Sequence, residues 1–449
     1  MAVPKFARHC RALPTSDNEK KGDMSNPLLA GIRVLDLSRL LPGPFCTLYL
    51  AQLGAEVIKI EEPDGGDYAR TLSAELFAVV NRGKQSVALD LRRPEAVAAF
   101  KKMVAEADVV IESFRPGVMD KLGCGYETLR QINPRLVYAA LTGYGQTGPY
   151  RDRAGHDMNY CGYSGVLDQL GEAGGAPVLS NVQIADLAGG ALTCAVGLLS
   201  AVIGARNSGQ GAFVDVGMLD GTLALQAIAV STLRTHGRTQ PRGEDMLTGA
   251  LPNYGLYKCR DGKYLAIGAL EPKFFQRVLE GLWQTSPQPL RRALDQALQL
   301  RKPRRRRGEA EAGNAGREPK SEPSRKKDPM AEIQNLLDKP AKARLLMRPL
   351  RWTLAAIFRL KTRDDWERLL APRDACVSGV LTLEEALQNE QVQARGLVEM
   401  LDGKPVVACP IRFVGAQPRS GGVPALGADT EAVLRRLGLG SEEIAALAR

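Results

Sequence analysis

Between residues 31 and 145 one pattern repeats: a short apolar run, a turn, then a stretch with helical spacing. "GIRVLDLSR" (31–39) reads as a strand entering the turn "LPGP". "FCTLYLAQLG" reads as a helix stopped by Gly54, and "AEVIKIEEP" as the next strand. "SVALDL" (86–91), "DVVIESF" and "LVYAALTGYG" are further strands. Helices lie between them over "PEAVAAFKKMVAEA", with Pro94 near its start, and over "YETLRQIN". "FVDVGMLDGTLALQA" (213–227) adds another strand and helix. Strands alternating with helices in this way predict an α/β unit built on a parallel sheet.

Ligands of open parallel sheets bind beyond the strand ends. The polar residues read as lying there are Arg39, Asn81, Arg82, Lys84, Arg115 and Tyr144. The first turn carries Pro42, Gly43 and Pro44 in place of GxGxxG, which argues against a dinucleotide fingerprint. Further along, "YGLYKCRDGKYLAIGAL" (254–270) predicts a hairpin turning at Asp261–Gly262. "EPKFFQRVLEGL" predicts a helix with Pro272 in its first turn. The expected organisation is an N-terminal extension (1–29), a Rossmann-like large domain (30–216) and a linker (217–248). A smaller α+β domain (249–390) and a return segment (391–449) packing on the large domain complete it.

Composition narrows the function classes. The eight cysteines form no CxxC or zinc spacing, and with three histidines no metal site is expected. Scattered cysteines read as reduced thiols, and the first 24 residues lack the apolar core of a secretory signal. A cytoplasmic location is expected, with a mitochondrial or peroxisomal matrix as alternatives. The charge-free run 187–205 contains glycines and reads as a buried helix packed through small residues, not a membrane span. The net charge of +10 is concentrated in residues 301–327, where eleven Lys and Arg face four Glu. That tract, without an apolar residue larger than Ala, reads as a disordered surface insertion. Nucleic acid is therefore not expected as the primary partner, though the tract suits weak polyanion or RNA contact.

Of the three histidines, His156 alone sits in a telling context, "RAGHDMNY" (153–160), where it suits either a helix cap or a catalytic base. Asp186 opens the apolar run and suits an N-cap. The segments "GIRVLDLSRLLPGPFCTLYLAQLGAEVIKIEEPDGGD", "NRGKQSVALDLRRPE", "ADVVIESFRPGVMDKLG", "LTGYGQTGPYRDRAGHDMNY", "DGKYLAIGALEPKFF" and "ARGLVEM" occur in this order. In them the chain resembles the family III CoA-transferase (CaiB/BaiF-like) superfamily, and within it the α-methylacyl-CoA racemases. The resemblance runs from about residue 30 to the C-terminus, except roughly 290–330.

That resemblance implies the family III fold as an interlocked homodimer and an acyl-CoA thioester as substrate. It implies interconversion of (R)- and (S)-2-methylacyl-CoA by 1,1-proton transfer through an enolate, with no separate cofactor. His156 and Asp186 would serve opposite faces of the α-carbon, and Glu271 would hydrogen-bond to His156. Arg115 and Lys84, then Arg39 and Arg82, suit the CoA phosphates, with Tyr144 beside them. Two alternatives stand: a CoA-transferase with Asp186 as covalent nucleophile, and polyanion binding through the basic tract. The resemblance names no acyl chain.

Overall fold

The structure is a computed structural model that describes residues 28–299 and 340–447. The N-terminal extension, apart from its last two residues, and the basic tract 301–327 lie outside the described residues.

The chain divides into two compact units. The first runs to Ala154, resumes over Asp186–Met218 and closes with Gly396–Arg449. It is built on six parallel strands: β1 (Arg33–Asp36), β2 (Glu56–Glu61), β3 (Gln85–Ala88), β4 (Val109–Glu112), β5 (Val137–Thr142) and β6 (Phe213–Gly217). Their order is β3-β2-β1-β4-β5-β6. This is the doubly wound arrangement that the repeating pattern predicts. The strands are short, and β1, β2, β4 and β5 are nearly all buried, as parallel strands covered on both faces must be, while the edge strand β6 exposes Phe213 and Asp215. Phe100, Met103 and Val104 of the helix Pro94–Ala105 pack with Leu35, Ile58 and Val110 in one core.

The return segment belongs to this core. Val433, Leu434, Ile444 and Leu447, from the helices Thr430–Arg436 and Ser441–Leu447, are buried in it. Just before them the chain runs along β3. Ser86 N–H donates to Asp429 Oδ2 at 2.8 Å, and Asp429 N–H donates to Ser86 O at 2.9 Å. Ala88 N–H donates to Thr430 Oγ1 at 2.9 Å. These bonds satisfy backbone groups that an edge strand would otherwise leave open.

The apolar run departs from expectation. It starts as a π-helix, Ala185–Leu192, and continues as the α-helix Thr193–Ser208. Cys194, Leu198, Val202 and Ala205 are buried, but Val196 and Ile203 are 68% and 62% exposed. The run is therefore only half covered in the single chain. Residues Ala185–Ser208 are long and apolar enough to cross a membrane by length and composition alone, a test that core helices also pass.

The second unit comprises Gly155–Ala185 and Leu219–Arg395. Its antiparallel sheet pairs β7 (Tyr254–Lys258) with β8 (Tyr264–Gly268), and β8 with β9 (Val377–Gly379). Gly262 takes φ +80° at the predicted turn. Phe275 and Leu279 of the helix Pro272–Thr285, Leu354 and Phe358 of Pro340–Phe358, and Trp366 of Arg363–Leu370 fill one core against this sheet. Two boundaries differ from the sequence reading. Residues 155–185 group with this unit, and the stretch read as a linker contains the helix Ala227–His236.

Candidate active site

In the first unit the strand order reverses between β1 and β4, the switch point beyond whose carboxyl ends open parallel sheets form their ligand crevice. Arg39 follows β1 and Arg115 follows β4. The two turns are tied where Arg39 N–H donates to Ser113 Oγ at 3.1 Å. The Arg39 guanidinium lies 4.9 Å from the ring centres of both Tyr68 and Phe114, and its Nη1 donates to Tyr68 Oη at 3.0 Å. Arg115 is exposed. Tyr144 lies in the turn after β5, buried, with its ring edge-on to Tyr150 at 5.7 Å. These three predicted contacts occupy the strand-end side of the sheet.

Lys84 and Arg82 are placed otherwise. Residues 69–81, unassigned in the sequence reading, form the helices Ala69–Leu72 and Ala74–Asn81. Asn81, Arg82 and Lys84 therefore precede β3 rather than follow a strand. The Lys84 ammonium is fully buried, 3.1 Å from Asp36 Oδ2, and donates to Asn81 Oδ1 at 2.8 Å and Pro44 O at 3.0 Å. Burial pushes it down to about 8, against the opposing pull of Asp36. Its three donors are spent internally, so its position gives no support to a phosphate contact. Arg82 is also buried, and donates to the backbone oxygens of Val79 and Val407.

Asp36 is the counterpart of this network. Burial alone would raise its carboxyl, but Lys84 and Lys59 outweigh burial and hold it below the ordinary carboxylate range. Lys59 lies 2.9 Å from Asp67, both side chains buried.

His156 is exposed and occupies the N-cap of the helix Asp157–Tyr163. Its backbone N–H donates to Asn159 Oδ1 at 3.0 Å. His156 and Asn159 form a capping box there, so the helix-cap reading is realised at an exposed residue. Asp186 stands in the first turn of the π-helix, not at its cap, where the helix dipole favours a carboxylate. π-helical turns concentrate at functional sites, because they displace one residue from regular packing. Glu271 is the exposed N-cap of Pro272–Thr285.

Asp157, next to His156, makes a contact that the sequence does not show. Asp157 Oδ1 accepts the Ala185 N–H at 2.7 Å. The residue after His156 is thereby tied to the residue before Asp186. His156 is the second residue of the segment Gly155–Ala185, and Asp186 is the first residue after it. The adjacency of Asp157 to His156 was the available signal, but its partner, 28 residues away, was not legible.

The model for "CoA-transferase family III" matches residues 29–314 and 325–430. The chain is 33% identical over 420 residues to the α-methylacyl-CoA racemase of Homo sapiens, covering 93% of this chain and 95% of that protein. It is 40% identical over 251 residues to the succinate–glutarate CoA-transferase of Agrobacterium fabrum, covering 53% of this chain and 62% of that one. Among solved structures, a CaiB/BaiF family protein from Brucella suis superposes with a TM-score of 0.73 at 29% identity, over 92% of this chain and all of the other.

Proposed function

Since the chain belongs to CoA-transferase family III, we propose that it is a racemase of 2-methylacyl-CoA thioesters. The observation that carries the reading is that the chain has, besides Asp186, a histidine at an exposed helix cap, His156, followed by Asp157, whose carboxylate accepts the Ala185 N–H. Covalent CoA transfer needs the aspartate alone. Racemisation needs two acid–base groups, one for each face of the α-carbon. The 33% identity to the human racemase along 93% of the chain supports the same choice.

In this mechanism neutral His156 removes the α-proton while protonated Asp186 supplies one to the opposite face. The reverse direction uses imidazolium and carboxylate. The thioester carbonyl takes up the charge as an enolate, and first-turn amides of the π-helix at Asp186 are suited to stabilise it. Glu271 orients the imidazole and fixes its tautomer. Arg39 and Arg115 receive the nucleotide end of CoA. No separate cofactor takes part. The working unit is a homodimer, which would cover the exposed apolar residues Val196 and Ile203. A cytoplasmic location suits the reduced thiols.

The test is proton NMR of the purified protein with (R)-2-methylacyl-CoA in D₂O, with His156→Ala alongside. Deuterium is expected at C2 as the other epimer appears, and His156→Ala is expected to lose both. No exchange, together with CoA moving to an added carboxylic acid, would establish the transferase reaction instead. The local identity to the Agrobacterium transferase makes that the second reading.

A further inference from the structure

The turn between β1 and the helix Pro42–Gln52 follows a path that its sequence does not favour. Leu40 takes φ +62°, in the left-handed region where glycine is at ease and leucine is strained. Four buried side chains hold this turn by its backbone. Asp36 Oδ1 accepts Ser38 N–H at 2.9 Å, and Lys59 Nζ donates to Ser38 O at 2.7 Å. The Asp67 carboxylate accepts Leu40 N–H at 3.0 and 3.2 Å, and Lys84 Nζ donates to Pro44 O at 3.0 Å. The four charges neutralise each other in pairs, Lys59 with Asp67 and Lys84 with Asp36. Buried charges are tolerated on those terms: each paired, with its remaining capacity used in hydrogen bonds.

Asp67 has a second task. Its Oδ1 also accepts Ala69 N–H at 2.9 Å, which fixes the backbone on both sides of Tyr68. Leu40 follows Arg39 in the chain, and Tyr68 stacks on the Arg39 guanidinium. One carboxylate therefore sets both the backbone next to Arg39 and the ring that holds its side chain.

We propose that Asp67, charge-balanced by Lys59, is a positioning residue for CoA binding: it holds the strained Leu40 turn so that Arg39 is presented at the β1/β4 crevice. The proposal rests on the reading of that crevice as the nucleotide end of the CoA site. Asp67 touches no substrate and takes no part in proton transfer. Its loss acts on binding, not on the chemical step.

The experiment measures binding of free CoA by calorimetry, and KM and kcat for 2-methylacyl-CoA, on the full chain. Asp67→Asn is expected to weaken CoA binding and raise KM by tenfold or more, with kcat held within about twofold. Leu40→Gly added to Asp67→Asn is expected to recover most of that loss, because glycine adopts the positive φ unaided. CoA binding unchanged in Asp67→Asn, or no recovery in a folded double variant, overturns the proposal. Should Asp67→Asn fail to fold, Asp67→Glu keeps the charge opposite Lys59 and carries the comparison. It is expected to show the same KM rise, and a wild-type KM overturns the proposal. A wild-type chain that does not bind CoA at all shows instead that the functional reading has failed, and the positioning role fails with it.

Discussion

At Glu112, the last residue of β4, the chain buries a carboxyl group with no cation beside it among the described residues. The side chain is 5% exposed and lines a 320 Å³ cavity with Tyr126, Tyr138 and Phe213. Burial pushes its carboxyl up to about 8, against the lowering effect of the Phe114 N–H that donates to Oε2 at 2.6 Å. A carboxyl raised on folding gives its full contribution below its unfolded value near 4.5, and that contribution is lost as pH rises through the folded value. The window here is thus pH 4.5 to about 8. Glu112→Gln keeps an acceptor for Phe114 and removes the ionisation. Urea unfolding of this variant is expected to match the wild type within about 1 kcal/mol at pH 4.5, and to show it more stable by on the order of 3–5 kcal/mol at pH 9. An equal difference at both pH values would show that Glu112 is not held protonated by the fold. Residue type and motif single out His156, Asp186 and Glu271 as candidates. Direction did not follow from type: Arg82 and Lys84 look like Arg39 and Arg115 on the page, yet their cations point into the protein. Which way a cation points depends on the strand it precedes or follows.

The turn after β1 shows what an element requires beyond its pattern. Gly43 does not have a positive φ; it is needed for space, since a Cβ there would lie 2.1 Å from Ser38 Cβ. Gly43→Ala is expected to destabilise the chain by about 1–3 kcal/mol through overpacking. It should also weaken CoA binding, because it displaces the turn that carries Arg39. Thermal unfolding and CoA calorimetry read the two effects, and unchanged values in both would show that the turn yields at no cost. Strands β1 to β6 were legible because a parallel sheet needs apolar runs and the helices between them are punctuated by Pro and Gly. The helices Ala69–Leu72 and Ala74–Asn81 were not, since four and eight residues give too few turns to show a period. The hairpin β10 (Val398–Leu401) and β11 (Lys404–Val407) carries its signal in the sequence Asp402–Gly403. Asp402 and Gly403 both take positive φ, +48° and +76°, the turn that Asp-Gly favours.

For the whole molecule, the informative feature is apolar surface left uncovered. Besides Val196 and Ile203, the helix Ala227–His236 exposes Ile228, Val230 and Leu233 by 44% or more. Scattered exposed leucines are ordinary, but whole helix faces are not. Periodicity identifies an apolar helix and cannot say how many sides are covered, which is why residues 187–205 read as fully buried. A second copy of the chain is the cover proposed above, and it predicts a mass near twice that of one chain by light scattering after gel filtration. Val196→Asp with Ile203→Asp places two charges on the exposed face of the Thr193–Ser208 helix, leaving its buried residues Cys194, Leu198 and Val202 untouched. The double variant is expected to run as a folded monomer, with the turnover of 2-methylacyl-CoA proposed above reduced at least tenfold at low protein concentration and partly regained as concentration rises. A monomeric variant with wild-type turnover would place the complete site within one chain. A variant that remains dimeric would show that this helix face is not the interface, leaving the Ala227–His236 face as the surface to charge next.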